Sequence, residues 1–584
     1  MNRREVEESY PLVPLQQGML FNHLYAPDSG VDMMQVVCAL HEDLQVGMFQ
    51  RAWEHVVARH AILRTSFRWT DVPEPIQNVH SQVDLPFLVY DWRGLGREAW
   101  RAELEAYIRA DRLQSFKLTE APLLRLSVFQ IDAAEYRCLL TFHHIILDGR
   151  SLLLLFQEVF AWYEALCQGR VLSLAQPRPY HEYVSWVRHN DISGAELFWK
   201  NLLKGFTAPT ALTLDRAREP SSTVAAGYAD HETQLSRELT TTLTLLAQQH
   251  ELTLNTVIQG AWALLLASYS DHDDIVFGAT RSCRRATVDG VESMVGLFIN
   301  TLPVRARLAP EMPLLAWLKE LRRQHLAVRD YQHTPLAHVQ QWSEISTGAP
   351  LFESIVVFEN FLLDSKLRSQ GGSWNNRKVE LRRQPNYPLS LCVFAEPQLV
   401  VKIVYDRARF AAATIERMGS HFTTLLAGMA AQPDAPLRAL ALLTPAERQR
   451  LLPPPPAPMP ALPLVPDLVA AQAARTPDAL ALADGATTLT YRQLDTQANQ
   501  LAHALRARAL PAEAVVALLL PRAPDWIVAQ LAILKAGAAF LPLDPAAPVA
   551  RTARMLRAAQ AALLLTTTAA LPADLPADLP ADLP

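Results

Sequence analysis

The sequence has 584 residues, a formal net charge of −5 at pH 7 and 50% apolar residues. A chain of this length has room for several domains of about 100–200 residues each, and its charge provides no basic field that would attract nucleic acid. No apolar run reaches the roughly 18 residues of a membrane span, and the charged N-terminus lacks the apolar segment of a signal peptide. The five cysteines are odd in number and have no CxxC spacing, which predicts a reducing, cytoplasmic environment.

The first predicted element is a helix from Val46 to His60. Its apolar residues recur at helical spacing and fall on one face, which is typical of an amphipathic helix packed against a core; they are Phe49, Trp53, Val56 and Val57. The helix runs into the segment 59–67, which contains Arg64. On residue type alone, this arginine is an ordinary solvated charge.

A strand, a turn and a helix are predicted between residues 135 and 166. Glu135–Phe142 is rich in β-forming residues and predicts a strand. Ser151–Leu166 has apolar residues at helical spacing, and its first residue is a suitable N-cap. The turn between them lies at a strand end, where α/β folds often hold their chemistry.

The polar residues of this turn are His143, His144, Asp148 and Gly149, and they allow three interpretations. The first is a core histidine pair beside a turn aspartate. The second is a metal site, since histidine and aspartate are both ligands, but no further His or Cys cluster lies nearby and we predict no bound metal. The third is a general base, because a neutral imidazole can accept a proton at neutral pH.

The second half of the chain again alternates helix-like and strand-like runs. Thr256–Ala267 predicts a buried helix, and Asp274–Ala279 predicts a strand. A proline-rich stretch that begins at Pro453 predicts a stiff linker. From Leu571 onward the chain repeats Leu-Pro-Ala-Asp, which cannot build a core, so we expect this segment to be disordered.

The pattern His-His-x-x-x-Asp-Gly at 143–149 is the core motif of the condensation domains of nonribosomal peptide synthetases. Further stretches resemble other motifs of this family in the family's order, namely 10–21, 59–67, 179–186, 294–305, 333–338 and 405–410. The resemblance extends from about Tyr10 to about Glu447. The chain departs from the pattern at Arg150, where Trp is common, at Cys283, where Gly is usual, and in a weak sixth motif. These departures bear on substrate selectivity more than on the chemistry.

Two stretches beyond the linker, 489–494 and 534–545, resemble the first motifs of amino-acid adenylation domains. No Ser/Thr/Gly-rich phosphate loop follows them, so we expect a truncated AMP-binding domain without adenylation activity. The expected organisation is an N-terminal condensation subdomain at 1–185, a C-terminal condensation subdomain at 186–447, a linker at 448–466, a partial adenylation domain at 467–570 and a low-complexity tail at 571–584.

The resemblance implies an α/β (α+β) fold in which two chloramphenicol-acetyltransferase-like subdomains form a V with a central tunnel, followed by the linker and an α/β adenylation fragment. It implies an acyltransferase that forms an amide bond between a donor acyl or peptidyl thioester and an aminoacyl thioester in antibiotic-type secondary metabolism. Both substrates would be held on phosphopantetheine by upstream donor and downstream acceptor peptidyl carrier proteins. Other synthetase modules would be partners; we expect no covalently bound cofactor, no nucleic acid and no membrane.

The resemblance also implies roles for the residues of the turn. His144 would act as the base or orient the attacking amine by a hydrogen bond. His143 would be mainly structural. The backbone N–H of Gly149 would help to stabilise the developing oxyanion, because glycine lets a backbone approach closely.

Two further pairs of residues follow from the same resemblance. Asp148 would form a buried structural ion pair with Arg64, since an unpaired buried charge is costly. Asn300 and Ser390 would lie at the tunnel on the second subdomain.

Several functions share parts of this pattern. An epimerisation domain carries the same histidine motif but normally follows a carrier, and none precedes Tyr10. A dual epimerisation/condensation domain would carry an additional His-rich motif, and a heterocyclisation domain would replace both histidines by aspartate. A starter condensation domain, which would acylate an amino acid with a fatty acyl group, remains open. From another class, a catalytically silent carrier-binding platform left by a truncated synthetase also remains open.

Overall fold

The structure is a computed structural model, and it describes residues 5–26, 30–190, 192–210, 212, 227–284, 288–346, 348–359, 362–384, 386–451, 463–485, 487–547 and 549–567. The chain divides into two compact units, Met1–Leu452 and Pro453–Pro584. Most of the predicted linker and the whole predicted tail from residue 571 lie outside the described residues. The remaining domain boundaries stay predictions.

The first half of the first unit alternates strands and helices. In chain order these are β1 (Val6–Pro11), α1 (Pro14–Tyr25), β2 (Met33–Leu40), α2 (Val46–Arg59), β3 (Thr65–Arg68), β4 (Ile76–His80), β5 (Phe87–Asp91), α3 (Arg97–Arg112), β6 (Leu124–Asp132), β7 (Glu135–His143), α4 (Gly149–Cys167), α5 (Tyr180–His189) and α6 (Ala195–Leu203).

The second half of this unit repeats the alternation. Its elements are β8 (Tyr228–Gln234), α7 (Arg237–Gln249), α8 (Leu254–Ser270), β9 (Asp274–Ser282), β10 (Ile299–Arg307), α9 (Leu314–Ala327), α10 (Leu336–Trp342), β11 (Ser354–Glu359), α11 (Leu363–Arg368), β12 (Arg377–Arg382), β13 (Leu389–Phe394), β14 (Val400–Asp406), α12 (Ala412–Ala431) and α13 (Pro445–Leu451).

The described strands of the first unit form three sheets. Their strand orders are β1-β4-β3, β12-β2-β7-β6-β5 and β10-β9-β11-β13-β14-β8. The middle sheet contains a strand from far along the chain, because β12 runs antiparallel to β2 with Arg377 opposite Leu40 and Arg382 opposite Gln35. A segment of the second half therefore completes a sheet of the first half.

The predicted helices of this unit are confirmed, with small shifts at their ends. The apolar stripe of α2 is buried and packs on α4, with the rings of Trp53 and Phe156 6.0 Å apart. α8 is buried on almost every side, and Thr253 caps it by accepting a hydrogen bond from the Thr256 N–H at 3.2 Å. The strand predicted to begin at Asp274 is β9, which lies inside the six-stranded sheet.

The second unit is a smaller α/β assembly. Its described elements are α14 (Val465–Arg475), β15 (Leu480–Asp484), β16 (Thr487–Thr490), α15 (Tyr491–Arg506), β17 (Val515–Leu519), α16 (Pro524–Lys535), β18 (Ala539–Pro542), α17 (Val549–Ala558) and β19 (Leu563–Thr566). The last three strands form a parallel sheet in the order β18-β17-β19. The mixed α/β class is confirmed, and the V-shaped arrangement around a tunnel stays a prediction. Within the described part of the chain, no helix is both long and apolar enough to cross a membrane.

Candidate active site

The histidine motif occupies the turn between β7 and α4. The strand ends at His143, a short 3-10 turn covers His144–Ile146, and α4 begins at Gly149. Asp148 is the N-cap of α4, since its carboxylate accepts a hydrogen bond from the Ser151 N–H at 2.7 Å. The prediction of Ser151 as the cap was wrong, because the serine lies within the first helical turn and its hydroxyl serves another contact.

His144 is the histidine of the motif that lines a cavity. Its backbone N–H donates to the Asp32 carbonyl at 2.7 Å, which fixes the main chain. Its Nδ1 lies 2.6 Å from the Leu147 carbonyl oxygen. Because a carbonyl oxygen only accepts, Nδ1 carries the proton and Nε2 is the basic nitrogen of the neutral ring. The turn therefore holds an imidazole in one tautomer with its free lone pair on Nε2.

His143 is enclosed by the protein. Its Nδ1 accepts the Ile145 N–H at 3.2 Å, and its ring meets that of His23 edge to face at 5.9 Å between centroids. Burial lowers the pKa of His143 from 6.5 to about 3, and the neighbouring histidines His23 and His144 add to the decrease. A neutral ring that is already hydrogen-bonded to the backbone supports the structural role expected for His143.

Asp148 forms its ion pair with Arg284. The guanidinium lies 3.1 and 3.3 Å from the two carboxylate oxygens, and both side chains are almost fully buried, with exposures of 2% for the aspartate and 4% for the arginine. The carboxylate also accepts the Phe298 N–H at 3.0 Å. The same guanidinium donates to the Ser151 hydroxyl at 2.7 Å and lies 4.0 Å from the centre of the Phe298 ring. This network joins the turn to the segment between β9 and β10.

The predicted Asp148–Arg64 pair was therefore wrong. Arg64 precedes β3, where its guanidinium bonds to the Glu7 carboxylate at 3.1 Å and to the His80 carbonyl. The physical reasoning was sound, since the buried aspartate does have a cation, but the cation comes from a distant segment. Arg284 was visible in the sequence only as the residue after Cys283, where the chain departs from the family pattern.

The cavity beside this turn measures about 1390 Å³ and is lined from both halves of the first unit. Gly149 and His144 line it from the first half, and Asn300 and Ser390 line it from the second. The side-chain amide of Asn300 is used internally, because it donates to the Gln332 and Thr334 carbonyls at 2.9 Å each. The hydroxyl of Ser390 is buried, and no described residue forms a hydrogen bond with it.

Several charged residues of the cavity were not anticipated, among them Arg284, Glu359, Arg383 and Asp32. Glu359, at the end of β11, pairs with Arg383, and its carboxylate oxygens lie 3.9 Å from the position that a Cβ on Gly149 would occupy. Asp32 lies in the turn before β2 and also lines the cavity. Single charged residues in turns or at strand ends carry no periodic pattern, so the sequence offered no signal for them. In the described segments no three His, Cys, Asp or Glu side chains are placed to hold a metal ion.

Comparisons with known proteins agree with this geometry. A family model described as "Condensation domain" matches residues 6–452, and one described as "AMP-binding enzyme" matches residues 469–582. One of the linear gramicidin synthase proteins of Brevibacillus parabrevis is 40% identical over 566 residues, which cover 96% of this chain and 7% of that protein. Bacitracin synthase 1 of Bacillus licheniformis is 32% identical over 580 residues, which cover 97% of this chain and 11% of that protein. The chain thus spans a small part of the curated relatives that it matches.

Solved structures show the same fold. The nonribosomal peptide synthetase FmoA3 bound to AMPPNP matches with a TM-score of 0.66 and 23% identity, covering 99% of this chain and 59% of that chain. A mutant of the starter condensation domain of rhizomide synthetase in complex with C8-CoA matches with a TM-score of 0.61 and 19% identity, covering 74% of this chain and 98% of that chain. The chain therefore belongs to the condensation domains of nonribosomal peptide synthetases, followed by part of an AMP-binding domain.

Proposed function

We propose that this chain forms an amide bond between a donor acyl or peptidyl thioester and the α-amine of an aminoacyl thioester, each held by a carrier protein. Condensation domains of these synthetases act on phosphopantetheine-tethered substrates and work with carrier domains. The observation that carries the proposal is the position of His144, whose ring has its basic nitrogen free at a cavity lined by both halves. A cavity of about 1390 Å³ exceeds the size of an ordinary small-molecule site and suits two substrates that meet.

The reaction needs little chemical activation of its substrates by the protein. A thioester is already activated, so holding the amine near the carbonyl carbon and excluding water provide much of the acceleration. The amine nitrogen attacks this carbon, Nε2 of His144 accepts or orients the amine proton, and a tetrahedral intermediate forms. When the intermediate collapses, the C–S bond breaks and the amide remains on the acceptor. The donor phosphopantetheine leaves as a thiolate, which becomes a thiol by taking up the proton that the amine released to Nε2 of His144.

Gly149 suits the role of an oxyanion donor by its place in α4. It is the first residue of the helix, and the N–H groups of a first helical turn have no intrahelical carbonyl partner. The positive end of the helix dipole also favours negative charge at this point. We therefore place the oxyanion of the intermediate near the Gly149 N–H, and the absence of a Cβ leaves the backbone open to the cavity.

The test is product formation by the 584-residue chain from one acyl-loaded and one aminoacyl-loaded carrier, followed by mass spectrometry. His144→Ala should lose about 10²–10⁴-fold in rate, the usual contribution of a positioned acid–base group. His272→Ala is the matched control, because His272 is exposed and does not line the cavity. Both variants should keep the wild-type melting temperature.

Two results would count against the proposal. Wild-type turnover by His144→Ala would leave substrate positioning as the whole mechanism. A wild-type chain that binds loaded carriers yet yields no amide from several substrate pairs would favour the silent-platform alternative. Octanoyl and aminoacyl donors, compared side by side, separate a starter role from an elongation role.

A further inference from the structure

Asp32 is a buried acid at the wall of the cavity, directly beside His144. It lies in the turn before β2, with only 5% of its surface exposed and a φ of +65°. Its carbonyl accepts the backbone N–H of His144 at 2.7 Å, so the two residues are held together.

Only one of the two carboxylate oxygens of Asp32 is hydrogen-bonded within the described residues. Oδ1 accepts a hydrogen bond from the side-chain amide of Asn386 at 2.8 Å. Among the described residues no donor is in hydrogen-bond geometry with the buried Oδ2, although the Asn22 side chain lies close enough to lower the pKa of Asp32. Two other acidic residues of the cavity wall form ion pairs: Asp148 pairs with Arg284, and Glu359 pairs with Arg383. Among the described residues Asp32 forms no ion pair. A buried carboxylate oxygen without a donor is costly and rare in native structures.

None of the charged or titratable groups described around Asp32 forms an ion pair with its Oδ2. His144 is the nearest base, and Tyr387 packs beside the carboxylate, which contributes to the raised pKa of that phenol. Arg112 packs against Gly30, but its guanidinium donates to Gln35 and to the Arg382 carbonyl. Burial raises the pKa of Asp32 above its ordinary value, while Asn386, His144 and Asn22 moderate the increase.

We propose that Oδ2 of Asp32 receives the ammonium group of the acceptor and takes one proton from it. This inference rests on the proposed function. An α-amine has a pKa of about 7.7–8.0, so most of it arrives as ammonium at neutral pH and has no lone pair for attack. The N–H bond of the ammonium breaks, its proton passes to Oδ2, and the neutral amine remains beside His144. Nε2 of His144 then accepts the second proton, which leaves the nitrogen after the C–N bond has formed.

The arrangement explains why two proton acceptors from different turns lie side by side at the cavity. The attacking nitrogen must lose two protons between its ammonium form and the amide, and one imidazole accepts only one. A carboxylate in a poorly solvated site accepts a proton more readily than one in water. The contact with Asn386 comes from the second half of the unit, so the acceptor position is defined by both walls of the cavity.

The test is the pH dependence of amide formation by Asp32→Asn. Asparagine has nearly the same shape and tolerates a positive φ better than most residues, so the turn is preserved. Initial rates are measured from about pH 5.5 to 8.5, a range that spans the amine pKa, with an acyl-loaded carrier and alanyl-N-acetylcysteamine thioester as acceptor. Asp43→Asn is the matched control, because Asp43 is exposed and does not line the cavity.

We expect the Asp32→Asn rate to fall about tenfold for each pH unit below the amine pKa, because this variant depends on acceptor that is already neutral. The wild type and Asp43→Asn should fall less steeply, and all three should converge at the alkaline end of the range. The apparent KM for the acceptor should rise in the Asp32→Asn variant at low pH only. Asp32→Gly, which also accommodates a positive φ, should give the same profile and serves if the asparagine variant is unstable.

Parallel pH profiles for wild type and Asp32→Asn would overturn the inference, whether the rates are equal or uniformly lower. In that case Asp32 would only support the turn or hold a water molecule. A wild type that makes no amide at any pH would instead overturn the proposed function, and the inference with it. The two failures are thus distinguished by the activity of the wild type alone.

Discussion

Replacing Arg284 by methionine tests the buried network that joins the turn at 143–149 to the second half of the unit. Methionine keeps much of the apolar stem but removes the cation from a carboxylate with 2% exposure. Removing one partner of a buried ion pair costs about 3–5 kcal/mol, because the remaining charge has no solvent to replace the partner. The loss also removes hydrogen bonds to the Val291 and Met294 carbonyls at 2.8 Å and to Ser151. We therefore expect the upper part of that range.

Arg64→Met is the matched control. Its carboxylate partner Glu7 is 47% exposed and regains water when the arginine is removed, so the ion pair is worth about 1 kcal/mol or less. Urea unfolding followed by tryptophan fluorescence provides the measurement, since all of the twelve tryptophans except Trp526 precede residue 453. In the double variant Asp148→Ala/Arg284→Met, the two costs should not add, with a coupling of about 1–3 kcal/mol. Equal destabilisation by both arginine variants, or strict additivity, would refute the assignment of the pair.

Two other predictions concern stability. Burial lowers the pKa of His325 from 6.5 to about 3, with Arg281 and Arg322 adding to the decrease. The unfolded chain therefore takes up a proton between pH 6.5 and 3 that the folded chain refuses, so stability is lost as the pH falls, by up to about 1.4 kcal/mol per pH unit. His143 and His333, whose pKa values burial lowers to about 3 and about 4, contribute in the same direction. His325→Leu should therefore make the urea midpoint fall less steeply from about pH 7 to pH 5 without removing the slope, and an unchanged slope would contradict this. Gly296→Ala should cost about 1–3 kcal/mol, because its Cβ would lie 2.3 Å from the Tyr180 ring. Gly18→Ala, where a Cβ meets open space, is the control, and equal melting temperatures would contradict the packing argument.

The sequence predicted the parts of the fold that depend on local periodicity. The stripe of apolar residues in α2 and the all-apolar character of α8 identified both helices, because burial on one face or on all faces is encoded within a few turns of chain. The turn at His144 was found for a similar reason, since a short motif carried it. Helix ends were less certain, as the cap of α4 shows: Asp148 and Ser151 are both good caps, and only the backbone geometry decides between them.

Long-range pairing could not be predicted in the same way. Arg64 and Arg284 are both arginines beside family motifs, and nothing in their neighbourhoods tells which one meets Asp148. The choice depends on where β9 and β10 place their connecting segment, some 136 residues from the aspartate along the chain. Asp32 gave no signal because a single aspartate in a turn is usually a turn former. Its importance follows only from the hydrogen bond that its backbone makes to His144 and from its unsatisfied oxygen.

The position of β12 has a consequence for anyone who recombines domains of this kind. Its side chains reinforce the strand pairing, since Arg377 bonds to Glu42 at 2.7 and 3.0 Å and Arg382 bonds to Glu105 at 2.7 and 2.8 Å. A chimera joined anywhere between residues 190 and 377 would set β12 of one parent against β2 of the other. Where the second parent lacks Glu42 or Glu105, β12 loses a charge partner, and weaker pairing would leave the edge of β2 open to aggregation. The two halves of the unit are therefore best exchanged together, from a single parent.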